Sequence, residues 1–384
     1  MLFTKPHKYF LTAYVVKPLN AFRFGEWEVR LLDTAPRVVV IEPTTRCNFK
    51  CIHCFRNEMS EEFKDMEYDL FLNLVDSFRG LGIKRVTFTG WGEPTIHPRI
   101  LDMVAEARRA ASEVVLNTNG STLLRIAEDL VNIGVDELLV SIDSPDIATY
   151  SKIRVGGELS IIARGLLKLK ELRLKKGYVR PVVSVIFTIN TLNYSDIVAV
   201  AEFSRRAGVN RVIYNNFIPT SRKLEGLACY TNSKCSREVS KLIGEVSRLS
   251  MDGTLAVQAT YRTVKSYFFC PYIGNSAIYV ARDGGVSPCM FFAHSWTPTL
   301  YGIERAVRRI VFGNVGRESL LDIWRKREYV LFRFLVRARQ MPSCLDCELA
   351  PYCTYTLSNQ HDCLGNSPSC ASCPYARNLA FCPV

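Results

Sequence analysis

Residues 44–56 read T-T-R-C-N-F-K-C-I-H-C-F-R. Cys47, Cys51 and Cys54 stand at gaps of three and two residues, so one short loop can bring three thiolates onto one small inorganic object. Three is one fewer than the four ligands that an iron–sulfur cube or a structural zinc takes. A cube held by three cysteines keeps one iron open to something that is not protein. Buried or disulfide-bonded cysteines are the plainer alternative. Three cysteines in eight residues, flanked by Arg46, Lys50 and Arg56, are not a core pattern. Positive charge nearby lowers a thiol pKa and favours the ligating thiolate.

Outward from the triplet, strand-like and helix-like stretches alternate. The strand candidates are Arg37–Glu42, Arg85–Thr89, Glu113–Asn117, Glu137–Ile142, Val182–Ile189 and Val212–Asn216. Each is short and rich in Val, Ile, Leu or Phe, which suits parallel strands buried on both faces. Amphipathic helix candidates lie near 67–81, 98–111, 122–134, 158–176 and 195–208, and L-G-I, I-G-V and A-G-V supply glycine stops. Six such units predict an α/β fold, a partial (β/α)6 barrel. The pattern breaks after Pro219. A helix candidate spans 233–250, and from 266 the chain is irregular and cysteine-rich, with one helical segment at Leu320–Arg339 carrying Trp324, Tyr329 and Phe332. The expected organisation is an N-terminal extension (1–36), the barrel core (37–225), a helical bridge (226–265) and a cysteine-rich domain (266–384).

The chain has 384 residues, 48% of them hydrophobic, enough for a large core in two or three domains. No apolar run reaches the about 18–20 residues of a membrane helix. The start, M-L-F-T-K-P-H-K-Y-F, lacks the apolar stretch of a signal peptide, so the expected location is cytoplasmic, with no membrane partner. Fourteen cysteines in such a chain argue for metal rather than disulfides, hyperthermophile cytosols being the exception. Their clustering agrees: three near the start, none from 55 to 228, nine from 270 to 382. The formal charge is +12, but Lys and Arg are spread along segments such as 164–180 and 305–339 with no aromatic-basic motif. That pattern favours a solvated basic face over a nucleic-acid groove.

In parallel α/β barrels the active site lies at the C-terminal ends of the strands. The cysteine triplet follows the first strand. T-G-W-G-E-P (89–94) follows the second, N-T-N-G (117–120) the third and S-I-D-S (141–144) the fourth. All four therefore reach one mouth. Ser141 and Asp143 alternatively form a turn and helix cap before Pro145. Asn190, ending the fifth strand, either faces a ligand or forms a turn. The C-terminal third carries C-x13-G-x4-C at Cys270, Gly284 and Cys289, and C-x2-C-x5-C at Cys344, Cys347 and Cys353. Cys363, Cys370, Cys373 and Cys382 follow. A zinc ribbon and an iron–sulfur site both suit such spacing.

In this order on successive strands, C-x3-C-x2-C, G-x-G-E-P and the Ser/Asp pair resemble the radical S-adenosylmethionine (SAM) superfamily over residues 37–220. The resemblance implies a [4Fe–4S] cluster on Cys47, Cys51 and Cys54 whose open iron binds SAM. It also implies reductive cleavage of SAM to a 5′-deoxyadenosyl radical that takes hydrogen from a substrate. By position, Gly90, Gly92 and Glu93 receive the methionine amino group, although the common form is G-G-E and Trp91 intervenes here. Ser141 and Asp143 match ribose contacts, Arg154 a partner of the methionine carboxylate, and His53 an aromatic position close to adenine rather than a fourth metal ligand. No residue stands out as the general acid or base.

With such a barrel, the C-terminal cysteines resemble the SPASM extension and imply two auxiliary [4Fe–4S] clusters. Cys270, Cys289 and Cys363 would hold the first, and Cys344, Cys347 and Cys353 the second with one later cysteine. The nine-residue gap from Cys353 to Cys363 and the additional pair Cys370–Cys373, ahead of Cys382, depart from the usual form. Cys229 and Cys235 have no assigned role beyond capping a cluster, facing substrate or being buried. I-E-P-T-T-R-C-N-F, C-F-R, G-W-G-E-P-T-I-H-P and D-C-L-G-N-S-P-S-C resemble the maturases of tungsten-cofactor oxidoreductases, also described as cofactor-modifying proteins. The implied partners are SAM, a low-potential donor such as ferredoxin or flavodoxin, and a peptide, protein or metal-pterin cofactor as substrate. Two alternatives are the GTP-cyclising enzyme of molybdopterin biosynthesis, which needs one auxiliary cluster, and a non-catalytic iron–sulfur or zinc module, which does not explain an open three-cysteine site.

Overall fold

The computed structural model describes residues 18–24, 26–32, 35–177, 179–260 and 269–384. Within the expected N-terminal extension, β1 (Pro18–Phe24) and β2 (Trp27–Leu32) form an antiparallel hairpin, a unit of its own. Residues 1–17, with the start read for a signal peptide, lie outside the described residues, as do 261–268.

The second unit is built on one ten-stranded sheet. Its six expected strands are β3 (Val38–Ile41), β4 (Arg85–Phe88), β5 (Glu113–Thr118), β6 (Glu137–Ser141), β7 (Val182–Ile189) and β8 (Arg211–Asn216), all parallel and adjacent in chain order. Helices α1 (Tyr68–Asp76), α2 (Ile100–Ala110), α3 (Leu123–Ile133), α4 (Ile147–Ile153), α5 (Leu159–Lys176) and α6 (Ile197–Arg206) lie between them. The strands are apolar on both faces because both are covered. Val114 and Leu116 pack into the main core, whereas Val115 turns the other way to meet Leu139, Ile186 and Ile213. Gly134 ends α3 with φ +84°, a conformation that a side chain would strain.

The sheet is wider than six strands. The stretch expected as a bridge supplies α7 (Ser233–Leu249) and then β9 (Ala256–Ala259), a further parallel strand beside β8. On the other edge, the region expected to be irregular supplies β10 (Ala277–Val280), parallel to β3, then β11 (Gly285–Ser287) and β14 (Gly313–Asn314), both antiparallel. A short α8 (Pro271–Gly274) precedes β10, and the small hairpin of β12 (Thr299–Leu300) and β13 (Ile303–Glu304) lies apart. The single helix expected over Leu320–Arg339 is two, α9 (Leu320–Arg325) and α10 (Arg327–Arg337), because Lys326 is extended at φ −56°, ψ 135°. Trp324, Tyr329 and Phe332 are buried in the core as expected. Among the described residues no helix is long and apolar enough to cross a membrane.

Candidate active site

The triplet loop leaves β3 and is stitched to the rest of the mouth by its backbone. Lys50 N donates to Val155 O at 2.8 Å and Ile52 N to Ile153 O at 3.0 Å, tying the loop to the end of α4. Arg56 Nη2 donates to Phe49 O at 2.8 Å across the same turn. Cys47, Cys51 and Cys54 thereby line one cavity. Of the flanking cations expected to lower these thiols, Arg56 does act on Cys47, but burial outweighs it. Burial dominates, raising Cys47 and pushing Cys51 up to about 12. The cation beside Cys51 is Arg154, not a flanking residue, and Arg46 is turned to Asp65 at 2.8 Å. Metal coordination, rather than a cationic environment, is what would deprotonate such thiols.

The loop after β4 is locked to the loop after β3. Glu93 N donates to Arg46 O at 2.8 Å, and Trp91 N to Glu42 Oε1 at 2.9 Å. A Cβ on Gly92 would lie 2.2 Å from Thr44 O and 2.5 Å from Arg46 O. One on Gly90, at φ +154°, would lie 2.6 Å from the Glu42 side chain. Both glycines thus serve close packing of protein on protein, a tighter demand than ligand approach. Glu93 is buried and faces the cavity. Its Oε1 accepts from Thr95 N (3.0 Å), Thr95 Oγ1 (2.6 Å) and Thr118 Oγ1 (2.7 Å), and its Oε2 from Asn119 N (2.6 Å). Burial still raises its carboxyl pKa against those four donors. A cationic ammonium alongside would remove that penalty.

Ser141, Arg154 and His53 line the same cavity; Asp143 does not. The Asp143 carboxylate, expected at a ribose, is wholly buried and accepts from Thr188 N (2.7 Å) and Arg154 Nε (2.6 Å). Burial works to lower the Arg154 pKa, but Asp143 and Cys51 hold it raised. Burial drives His53 down to about 4 against Asp143, so its ring is neutral at pH 7 and the 3.5 Å approach to Asp143 Oδ2 is no ion pair. His53 Nδ1 is buried without a hydrogen-bond partner among the described residues, which suits a ligand atom from the cavity. Asn190 forms a turn: its Oδ1 accepts from Leu192 N at 2.9 Å. Sequence reasoning missed Thr95, Thr118 and Asn119, which position Glu93. It also missed the far wall: Asn215 and Asn216 at the end of β8, Phe217 just after it, and Phe381 and Pro383 from the C-terminal segment. N-T-N-G was legible only as a loop at the mouth.

The C-terminal cysteines fall into two groups, not those expected. The Cys382 sulfur feels those of Cys270, Cys289 and Cys373, and Cys370 lies beside the last three. Cys344 instead neighbours Cys363 and Cys347, so Cys363 moves from the first expected group to the second. Cys347 and Cys363 are exposed, and Cys353 follows on the turn Ala350–Tyr352. No three His, Cys, Asp or Glu among the described residues converge tightly enough for a single ion. A four-iron cube is larger and takes its thiolates at wider spacing. Cys229 and Cys235 are disulfide-bonded to each other at the start of α7, so neither caps a cluster and the expectation of metal over disulfides fails for this pair.

Residues 41–204 match the model of the radical SAM superfamily, and residues 270–348 that of SPASM, an iron–sulfur cluster-binding domain. The chain is 31% identical over 354 residues to the tungsten-containing aldehyde ferredoxin oxidoreductase cofactor-modifying protein of Pyrococcus furiosus, spanning 91% of this chain and 97% of that one. Its fold is like that of Streptococcus suis SuiB bound to the precursor peptide SuiA, with TM-score 0.61 and 16% identity over 84% of this chain and 72% of that one. It is also like anSMEcpe with bound AdoMet and the Cp18Cys peptide, with TM-score 0.58 and 15% identity over 87% and 93%.

Proposed function

Because the chain belongs to the radical SAM superfamily and carries a SPASM domain, we propose that it matures a tungsten-containing oxidoreductase, acting on the metal-pterin cofactor or on the polypeptide that carries it. The observation that carries this is the 31% identity across 97% of a cofactor-modifying relative, joined to three cysteines and a buried Glu93 on one cavity. The enzyme binds a [4Fe–4S] cluster and SAM. When bound, they supply a 5′-deoxyadenosyl radical that removes a hydrogen atom from the substrate.

The chain's own residues bind and orient. Cys47, Cys51 and Cys54 hold the cluster. Glu93, fixed by Thr95, Thr118 and Asn119, accepts from the methionine ammonium. Arg154, anchored by Asp143, keeps further guanidinium N–H groups for the methionine carboxylate. Neutral His53, Ser141 and Phe217 are offered to the nucleoside. The apolar parts of the wall exclude water from a reactive intermediate. A low-potential donor such as ferredoxin or flavodoxin would reach the exposed Cys347 and Cys363. Two cysteine groups beyond the triplet favour this reading over a GTP-cyclising enzyme with one auxiliary cluster.

The test presents the reduced enzyme with deuterated pterin cofactor or deuterated oxidoreductase polypeptide, each in turn. Deuterium recovered by mass spectrometry in 5′-deoxyadenosine identifies the substrate. No transfer from either sinks the substrate assignment while leaving SAM cleavage intact.

A further inference from the structure

We propose that the first auxiliary cluster is held by Cys270, Cys289, Cys373 and Cys382, and that this ligation clamps the C-terminal tail into the wall of the active-site cavity. It rests on the iron–sulfur reading of the C-terminal domain, not on the choice of substrate.

Five cysteines gather where a cube takes four. Three of them are built alike. The Cys270 sulfur lies by the N–H groups of Tyr272 and Ile273, Cys289 by those of Phe291 and Phe292, and Cys373 by those of Tyr375 and Ala376. Paired backbone N–H groups of this kind make concavities for anions, iron–sulfur thiolates among them. The three lie together because the chain is pinned there: Phe269 N donates to Ala376 O at 3.0 Å, and Met290 N meets Tyr272 Oη at 3.3 Å.

The fourth place falls to Cys382 over Cys370. Cys382 packs with Cys270 and Cys289 against Tyr272 and Tyr279, in the small core under β3 and β10. Its sulfur faces all three of the others. Cys370 has the Asp362 carboxylate beside it. A thiolate there would stand beside a like charge in a buried site. The nearby Asp362 is already engaged, accepting from Ser369 Oγ at 2.7 Å and Asn366 Nδ2 at 2.9 Å.

Cys382 sits between two residues of the cavity wall, Phe381 and Pro383. Phe381 packs on Val115, Leu139, Ile186 and Ile213, inside the barrel. Its N–H donates to Asn215 Oδ1 at 2.7 Å, and Asn216 Nδ2 donates to Leu379 O at 2.7 Å. The tail therefore bridges β8 and the four sulfurs. Apolar packing and hydrogen bonds seat this segment; a thiolate–iron bond at Cys382 makes the closure permanent while the cluster is intact.

The experiment uses the full chain, reconstituted anaerobically with iron and sulfide. Cys382→Ala and Cys370→Ala are compared by iron content, by electron paramagnetic resonance of the reduced protein, and by hydrogen exchange of the amides from Ala376 to Val384. In Cys382→Ala, iron falls from about twelve to about eight per chain or the auxiliary signal changes, and the Phe381 amide exchanges at least tenfold faster. Cys370→Ala changes neither. The reverse pattern, or two unchanged variants, overturns the ligand set. Wild-type protein with and without its clusters gives a second measurement that needs no variant. Tail protection equal in both states overturns the clamp. Wild-type protein that takes up no iron in this domain fails the iron–sulfur reading itself, a separate outcome.

Discussion

His294 Nε2 lies 2.9 Å from Glu42 Oε2, joining the C-terminal region to the carboxylate after β3 that holds the loop of Gly90 and Glu93. Neither residue drew notice as sequence. Glu42 is wholly buried and receives Trp91 N and Tyr279 Oη on its other oxygen, and His294 Nδ1 approaches Glu61 Oε2 at 3.3 Å. The imidazole thus fixes the carboxylate that fixes the glycine loop.

His294 carries a pH dependence. Burial lowers its pKa, but Glu42 and Glu61 outweigh burial and raise it to about 9. Arg282 and Arg309 also face Glu61, and Tyr279 faces Glu42. A folded-state pKa above the unfolded 6.5 means stability fully present below pH 6.5 and lost as pH rises through 9. Denaturant unfolding of wild type and His294→Gln should show a stability difference that shrinks by on the order of 3 kcal/mol between about pH 6 and pH 10. A difference independent of pH would mean the ring is neutral throughout.

Gly92→Ala forces a Cβ to within 2.2 Å of a main-chain carbonyl, which cannot turn aside as a side chain can. The shift falls on Glu93, whose N–H bonds Arg46 O. SAM affinity by equilibrium dialysis should fall about tenfold or more, about 1.4 kcal/mol. Unchanged affinity would show that the two loops are not rigidly coupled.

Asp143→Ala separates two roles for this carboxylate. As the buried partner of Arg154, its removal leaves an uncompensated guanidinium and should cost about 3–5 kcal/mol of stability. As a ribose contact it would change SAM affinity with stability intact. The expected result is the first, read from thermal unfolding in the absence of SAM.

The six central strands, six of the helices and the four motif loops were legible because each is a local pattern: short apolar runs, 3.6-residue periodicity, glycine stops. β9 and β10 were not. A-I-Y-V (277–280) is strand-like, but its pairing with Val38–Ile41 joins residues more than two hundred positions apart, and register of that kind leaves no local mark. Asp143, expected at a ribose, lies off the cavity for a related reason. Strand alternation aims Ser141 at the cavity, but past the strand end the chain turns and aims Asp143 at Thr188 N of the next strand. Cys363 was grouped by family resemblance, whereas the fold of the loop after Cys353 decides which sulfurs it meets. His53, Arg154 and Glu93 reached the cavity as expected because each follows directly from a motif at a strand end.

The central claim is that Cys47, Cys51 and Cys54 present an open iron to SAM beside Glu93. The most direct measurement is 5′-deoxyadenosine formed by the anaerobically reconstituted, dithionite-reduced protein given SAM, beside Cys51→Ala treated in the same way. The account predicts 5′-deoxyadenosine from wild type and none above background from Cys51→Ala. No product from fully loaded wild type, or equal product from both, would contradict it.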